Sequence, residues 1–141
     1  ISMVSRMGVL CTCEHWTCPC CNVWRNEMTH IHVYGGYELG DFAEKVAHWC
    51  LEKFDIDPVH IAISIRRKYK DCWGTCSETS IGKYKIMVVA NQSLRDFVAT
   101  IVHEMVHVKQ WETQKWTGDG EREAERLQYK LTDELWQEDV L

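Results

Sequence analysis

The residues best suited to chemistry in this chain are His103, Glu104 and His107, in the stretch Ile101-Val102-His103-Glu104-Met105-Val106-His107. On a helix, residues four apart lie on one face, one turn above the other. Two imidazoles so placed can hold one zinc ion, and a glutamate beside the first can reach a water on the same metal. That is the local chemistry of a zinc hydrolase, usually a peptidase. The motif itself lacks a third ligand, a rigid platform and a place for substrate.

A catalytic zinc site uses three protein ligands and keeps a position for water, whereas a structural site uses four. No histidine follows His107, so the third ligand falls to a carboxylate among Glu112, Glu121, Glu123 and Glu125. Glu112, five residues past His107 on the same helix, points off the metal face. Residues 115–120 close with Thr117-Gly118-Asp119-Gly120, a helix-breaking loop. The helix beyond it can return antiparallel and aim a carboxylate at the metal. Glu121 and Glu125 share a face there and Glu123 does not. Glu121 is therefore read as the ligand. Glu125 is read as the acceptor for the other ring N–H of His103 or His107, fixing its tautomer. On an isolated helix these acids would need only the N-terminal dipole to account for them; the upstream His-Glu-x-x-His favours the ligand reading. Glu104 is the general base. The reaction also needs an oxyanion donor, and Tyr129, Arg122, Arg126 and His60 stand open for it.

The elements that must position these residues follow from periodicity. Ser93 can cap a helix from about Leu94 to Trp111, with Asp96 three residues on. Phe97, Ile101, Met105 and Val108 form one apolar stripe of that helix, leaving His103, His107 and Gln110 on another side. A last helix begins near Glu121 and buries Ala124, Leu127, Leu131 and Leu135. An earlier helix runs from Asp41 to Phe54. Val59, Ile61, Ile63 and Ile65 alternate as in a half-buried strand. Asp71–Cys76 reads as a turn or bulge, and Tyr84–Ala90 as a strand. His30-Ile31-His32-Val33-Tyr34 is a short strand with surface histidines.

At 141 residues the chain can bury one core, and its 45% hydrophobic and 26% charged content is that of a globular domain. The net charge of −5 gives no bulk attraction to nucleic acid. The run Arg66-Arg67-Lys68-Tyr69-Lys70 reads as a solvated strand end. No apolar run reaches the roughly 18 residues of a membrane span. No cationic, apolar leader opens the chain, so the expected compartment is the cytoplasm, with reduced thiols. Five of the eight cysteines fall between Cys11 and Cys21. Cys18 and Cys21 make a C-x-x-C knuckle that Cys11, Cys13 or His15 could complete, with Cys72 and Cys76 as distant contributors. A second, structural zinc on Cys11, Cys13, Cys18 and Cys21, a disulfide, and neither of these all stay open. Residues 1–29 are thus a cysteine-rich segment and residues 30–141 the domain that carries the motif. Oligomeric state is not legible.

From about residue 59 to 137 the chain resembles the gluzincin zinc peptidases. His103-Glu104-x-x-His107 is followed by Glu121-Arg122-Glu123-Ala124-Glu125, where those proteins carry Glu-x-x-Ala-Asp. The compact length is similar to the minigluzincins. Trp73-Gly74-Thr75-Cys76-Ser77, a strand and then the motif also resemble WGSCS-type metal-dependent hydrolases and SprT-like proteins, which more often use a distal histidine that is absent here. The resemblance implies an α+β, zincin-like fold. A small mixed or antiparallel sheet of three to four strands would pack on the motif helix, with one helix before it and one after. It implies one catalytic Zn2+ and a peptide or protein substrate paired in extended form along an edge strand, for which Tyr84–Ala90 is the candidate. It also allows a latent form, with residues 1–29 or Gln137–Leu141 over the groove. The expected activity is that of a zinc metalloendopeptidase. The alternative is a non-catalytic, zinc-stabilised module associated with peptide or nucleic acid.

Overall fold

The computed structural model describes residues 29–36, 38–69 and 71–141. The expectations for Cys11, Cys13, Cys18 and Cys21, and for Lys70 in the basic run, lie outside the described residues. The described chain runs β1 (His30–Tyr34), α1 (Glu38–Phe54), β2 (His60–Arg66), β3 (Gly74–Ser80), β4 (Lys83–Val89), α2 (Leu94–Thr113) and α3 (Glu121–Gln137). This is an α+β arrangement of three helices and one four-stranded mixed sheet in the order β1-β2-β4-β3. Strand β2 lies parallel to both β1 and β4, while β3 is antiparallel to β4.

The sheet order follows from composition. In β4, Tyr84, Ile86, Met87, Val88 and Val89 are all buried, and such a strand is stable only with hydrogen-bonded neighbours on both sides. Strand β3, Gly-Thr-Cys-Ser-Glu-Thr-Ser, has little to bury and takes the edge. This corrects the expectation that Tyr84–Ala90 is the edge and residues 71–76 merely a turn. The edge beside the histidine motif is β3.

Helices α1 and α2 pack on the sheet face formed by Ile61, Ile63, Ile65, Tyr84, Ile86 and Val88, and α3 packs on α2. Ser93 caps α2 as its spacing predicts, accepting a hydrogen bond from the Asp96 N–H at 3.1 Å. Phe97, Ile101, Met105 and Val108 are fully buried and anchor α2 along its length. Ala124, Leu131 and Leu135 do the same for α3. No helix among the described residues is long and apolar enough to cross a membrane.

Candidate metal centre

The anchored stripe of α2 fixes where its other side looks. His103 and His107 point from that side toward the start of α3, their ring centroids 5.1 Å apart. Glu121, the first residue of α3, meets both rings. Its Oε1 lies 3.1 Å from Nε2 of His103, and its Oε2 lies 2.7 Å from Nε2 of His107. One donor atom from each of the three residues falls within 4.8 Å of the others, so the group could hold a metal ion.

Local chemistry holds Glu121 at that point. Gly120 sits at φ +81°, a left-handed conformation that breaks the approach to α3 and favours glycine. Asp119 then accepts the Glu121 N–H at 3.0 Å. A Cβ on Gly120 would lie 2.2 Å from the amide oxygen of Gln110, so the backbone passes against that side chain.

Gln110 is the residue the sequence reading left idle. It is 3% exposed and uses both ends of its amide. Its Oε1 accepts from Nδ1 of His107 at 2.9 Å. Its Nε2 donates to the Gly120 carbonyl at 2.9 Å and to the Glu123 carboxylate at 2.8 Å. Gln128 plays the matching part for the other ring, with its Oε1 2.6 Å from Nδ1 of His103. An amide oxygen can only accept, so each imidazole carries a proton on Nδ1 and turns Nε2 to the Glu121 side. Two imidazoles held at Nδ1 and a carboxylate facing both Nε2 atoms are a donor set that fits zinc. The role read for Glu125 is thereby corrected: amides, not that carboxylate, take the second ring N–H groups. The i, i+3 spacing of Gln110 from His107 was the signal available in the sequence.

Glu104 is 6% exposed and lies beneath β3. A Cβ on Gly74 would sit 3.1 Å from its Oε2 and 2.6 Å from Cγ2 of Thr100, so the edge strand crosses α2 at a distance that only glycine permits. The Glu104 carboxyl is pushed up to about 6, chiefly by burial, with His103 and His107 opposing the rise and Glu121 adding to it. Trp111 closes one end, stacked on Tyr84 at 5.8 Å and tilted against His107 at 6.2 Å. The Tyr84 hydroxyl donates to Glu112, which is thus turned off the metal face as its position on the helix requires.

Two cavities meet at His103 and Glu104. One, of about 310 Å3, runs over His107 and Glu121 toward Cys76, Trp111 and Asp119. The half-buried Cys76 thiol there is kept protonated by burial and by nearby Glu104. The other, of about 380 Å3, extends past Gly74 and Thr100 to Glu125 and Gln128.

Along both runs β3. Val89 N–H donates to the Trp73 carbonyl at 2.9 Å, which makes Trp73 and Val89 a hydrogen-bonded pair. Antiparallel pairs alternate, so Thr75 and Ser77 turn their backbone groups to β4, while those of Gly74 and Cys76 face the open edge. Among the described residues no strand pairs with that edge.

The four residues read as oxyanion donors go elsewhere. Tyr129 donates to Asp96 at 2.7 Å, two turns before His103, with the Arg95 guanidinium 4.7 Å above its ring. Arg122 and Arg126 line a separate cavity with Trp116. His60 begins β2, stacked on His30 at 4.7 Å, and is in register with Lys83, at the opposite end of the sheet from Gly74. None of the four lines either cavity at His103 and Glu104. Periodicity placed their Cα atoms but not which way α3 turns on α2.

No protein-family model, curated protein or solved structure matches the chain. The functional reading therefore rests on the site itself.

Proposed function

We propose that this chain is a zinc-dependent metallopeptidase of zincin-like, gluzincin type, with His103, His107 and Glu121 as metal ligands and Glu104 as general base. The observation that carries the reading is the meeting of both histidine Nε2 atoms with the two oxygens of Glu121, beside a buried glutamate and under a sheet edge that no strand among the described residues pairs with.

A zinc ion held by these residues would supply Lewis acidity toward the scissile carbonyl and a water acidic near neutral pH. Gln110 and Gln128 hold the Nδ1 side of each ring, so Nε2 is the atom each ring would offer to the metal. The outward N–H and C=O groups of Gly74 and Cys76 can pair an extended peptide as an added strand, which presents its carbonyl across His103 and Glu104. Glu104 takes the proton of the attacking water and returns it to the leaving amine.

The deciding experiment uses the full chain loaded with zinc and a mixture of unrelated peptides, with cuts read by mass spectrometry. Internal cleavage that chelation abolishes, zinc restores and Glu104→Gln removes supports the assignment. A zinc-loaded wild-type chain that binds peptides but cuts none would instead make this a binding module with a vestigial site.

A further inference from the structure

With Gln128 on the His103 ring, the carboxylate of Glu125 has lost the partner expected for it. Among the described residues it makes no hydrogen bond or ion pair with another side chain. Its direction is nevertheless constrained. Glu121, Glu125 and Gln128 are spaced i, i+4 and i+7 on α3 and share one stripe. The first and last of these reach the imidazoles of α2 at 3.1 and 2.6 Å, so Glu125 between them borders the same groove. It lines the cavity of about 380 Å3 that also contains His103, Glu104 and Gly74. A group in that cavity is therefore next to the reacting centre and next to the open edge of β3.

The charge balance of the groove is one-sided. No lysine or arginine lines either of the two cavities, whereas Glu104, Asp119, Glu121 and Glu125 do. Glu104 and Glu121 are matched to a metal and its water, and Asp119 is occupied by the Glu121 N–H. Arg122 and Arg126, the nearest cations along α3, face a different cavity. Glu125 is exposed, and of these four acids it is the one the site leaves unengaged, so its carboxylate is available to a cation entering the cavity.

We propose that this cavity receives a basic side chain, lysine or arginine, of the peptide residue flanking the scissile bond, and that Glu125 sets this specificity. The proposal rests on the peptide-binding reading of the metal site and adds the class of substrate.

The test uses the full-length chain carrying Glu104→Gln, loaded with zinc so that bound peptide stays intact. The probes are N-acetylated, C-amidated peptides of one sequence in which lysine, norleucine or glutamate is moved through each position. Affinities are read by fluorescence anisotropy. At one register position the lysine peptide should bind about two- to fivefold tighter than its norleucine counterpart, the scale of a solvent-exposed ion pair. Adding Glu125→Gln should bring that ratio close to one, and Glu125→Arg should turn the preference toward glutamate. The ratio compares two probes on one protein, so a general loss of folding cannot imitate the result. A ratio near one in the parent, a ratio that ignores Glu125, a preference seen only with a free N-terminal amine, or no peptide binding at all would each overturn the proposal. Indiscriminate cutting by wild type would remove this inference and leave the peptidase standing. A Glu125-dependent lysine preference without any cutting by wild type would do the reverse.

Discussion

The amide of Gln110 joins His107 to the start of α3: one end lies 2.9 Å from Nδ1 of the ring, and the other donates to the Gly120 carbonyl at 2.9 Å. One buried side chain thus holds Nδ1 of one proposed ligand and the position of the next, because Glu121 follows Gly120 directly. Gln110→Ala should weaken zinc binding by about 10- to 100-fold, the usual effect of removing a group that orients a ligand. It should also lower stability by about 1–3 kcal/mol through the buried partners left unpaired. Denaturation in chelator isolates the second effect, and zinc titration against a competing chelator gives the first. Unchanged zinc affinity would remove Gln110 from the site.

Glu121 and Glu123 are neighbours with separate duties. Glu121 touches both imidazoles, while Glu123 accepts from Gln110 and stands 3.9 Å from Lys109. Glu121→Ala should abolish zinc-dependent stabilisation, measured as the rise in Tm between chelator and added zinc. Wild type at zinc 100-fold above its Kd should gain about 2.7 kcal/mol. Glu123→Ala should keep most of that gain and lose only part of the support for Gln110. The opposite ranking would move the ligand role to Glu123.

Much of this was legible before any coordinates. The stripe Phe97, Ile101, Met105 and Val108 identified the buried side of α2, and spacing alone put His103 and His107 on the other. Glu121 followed from the lack of any later histidine together with the break at Gly118 and Gly120. What spacing could not give was the rotation of α3 on α2, which hands the imidazole N–H groups to Gln128 and Gln110 and leaves Glu125 free. The sheet order was also hidden. A polar strand such as β3 has almost no apolar period, so its first residues, 74–76, read as part of a turn or bulge and the apolar β4 reads as the edge. The contact of Gly74 with Glu104 joins residues 30 apart in sequence and carries no local signal.

Among the described residues Glu104 is the one buried acid, and it stands beside the proposed ligands without joining the donor set. Glu104→Gln preserves its size and removes its basicity. Zinc affinity should stay within a few-fold of wild type while kcat/KM for peptide hydrolysis falls by about 10²- to 10⁴-fold, the range for losing a positioned acid–base group. A variant that binds zinc and turns over normally would exclude Glu104 as the base.

The contact between Tyr129 and Asp96 has a structural meaning that pH can expose. The Tyr129 hydroxyl, then Ser93, holds the Asp96 carboxyl below its ordinary value. A carboxylate with a depressed folded pKa contributes stability above its unfolded pKa and loses that contribution as pH falls through the folded one. Tyr129→Phe should therefore lower Tm near neutrality, and the gap to wild type should narrow below roughly pH 4. Hydrolysis at neutral pH and a temperature well below Tm should change little, because Tyr129 lies outside both cavities at the metal centre. A large loss of kcat with Tm unchanged would return Tyr129 to the reaction.

Gly74 separates packing from catalysis at the point where the edge strand crosses α2. In Gly74→Ala the new methyl group would lie 2.6 Å from Cγ2 of Thr100 and 3.1 Å from Glu104 Oε2. Overpacking of this kind costs about 1–3 kcal/mol. Thr100→Ser removes the offending methyl and keeps the hydroxyl that donates to the Asp96 carbonyl at 2.8 Å. The double variant should therefore regain most of the lost Tm. It should not regain activity to the same degree, because the added methyl still presses on Glu104 and on the strand proposed to pair with substrate. Measuring Tm and kcat/KM for the single and double variants tests this split. Full activity in Gly74→Ala alone would mean that β3 can lift away from α2 without disturbing Glu104, and that the close crossing serves only the fold.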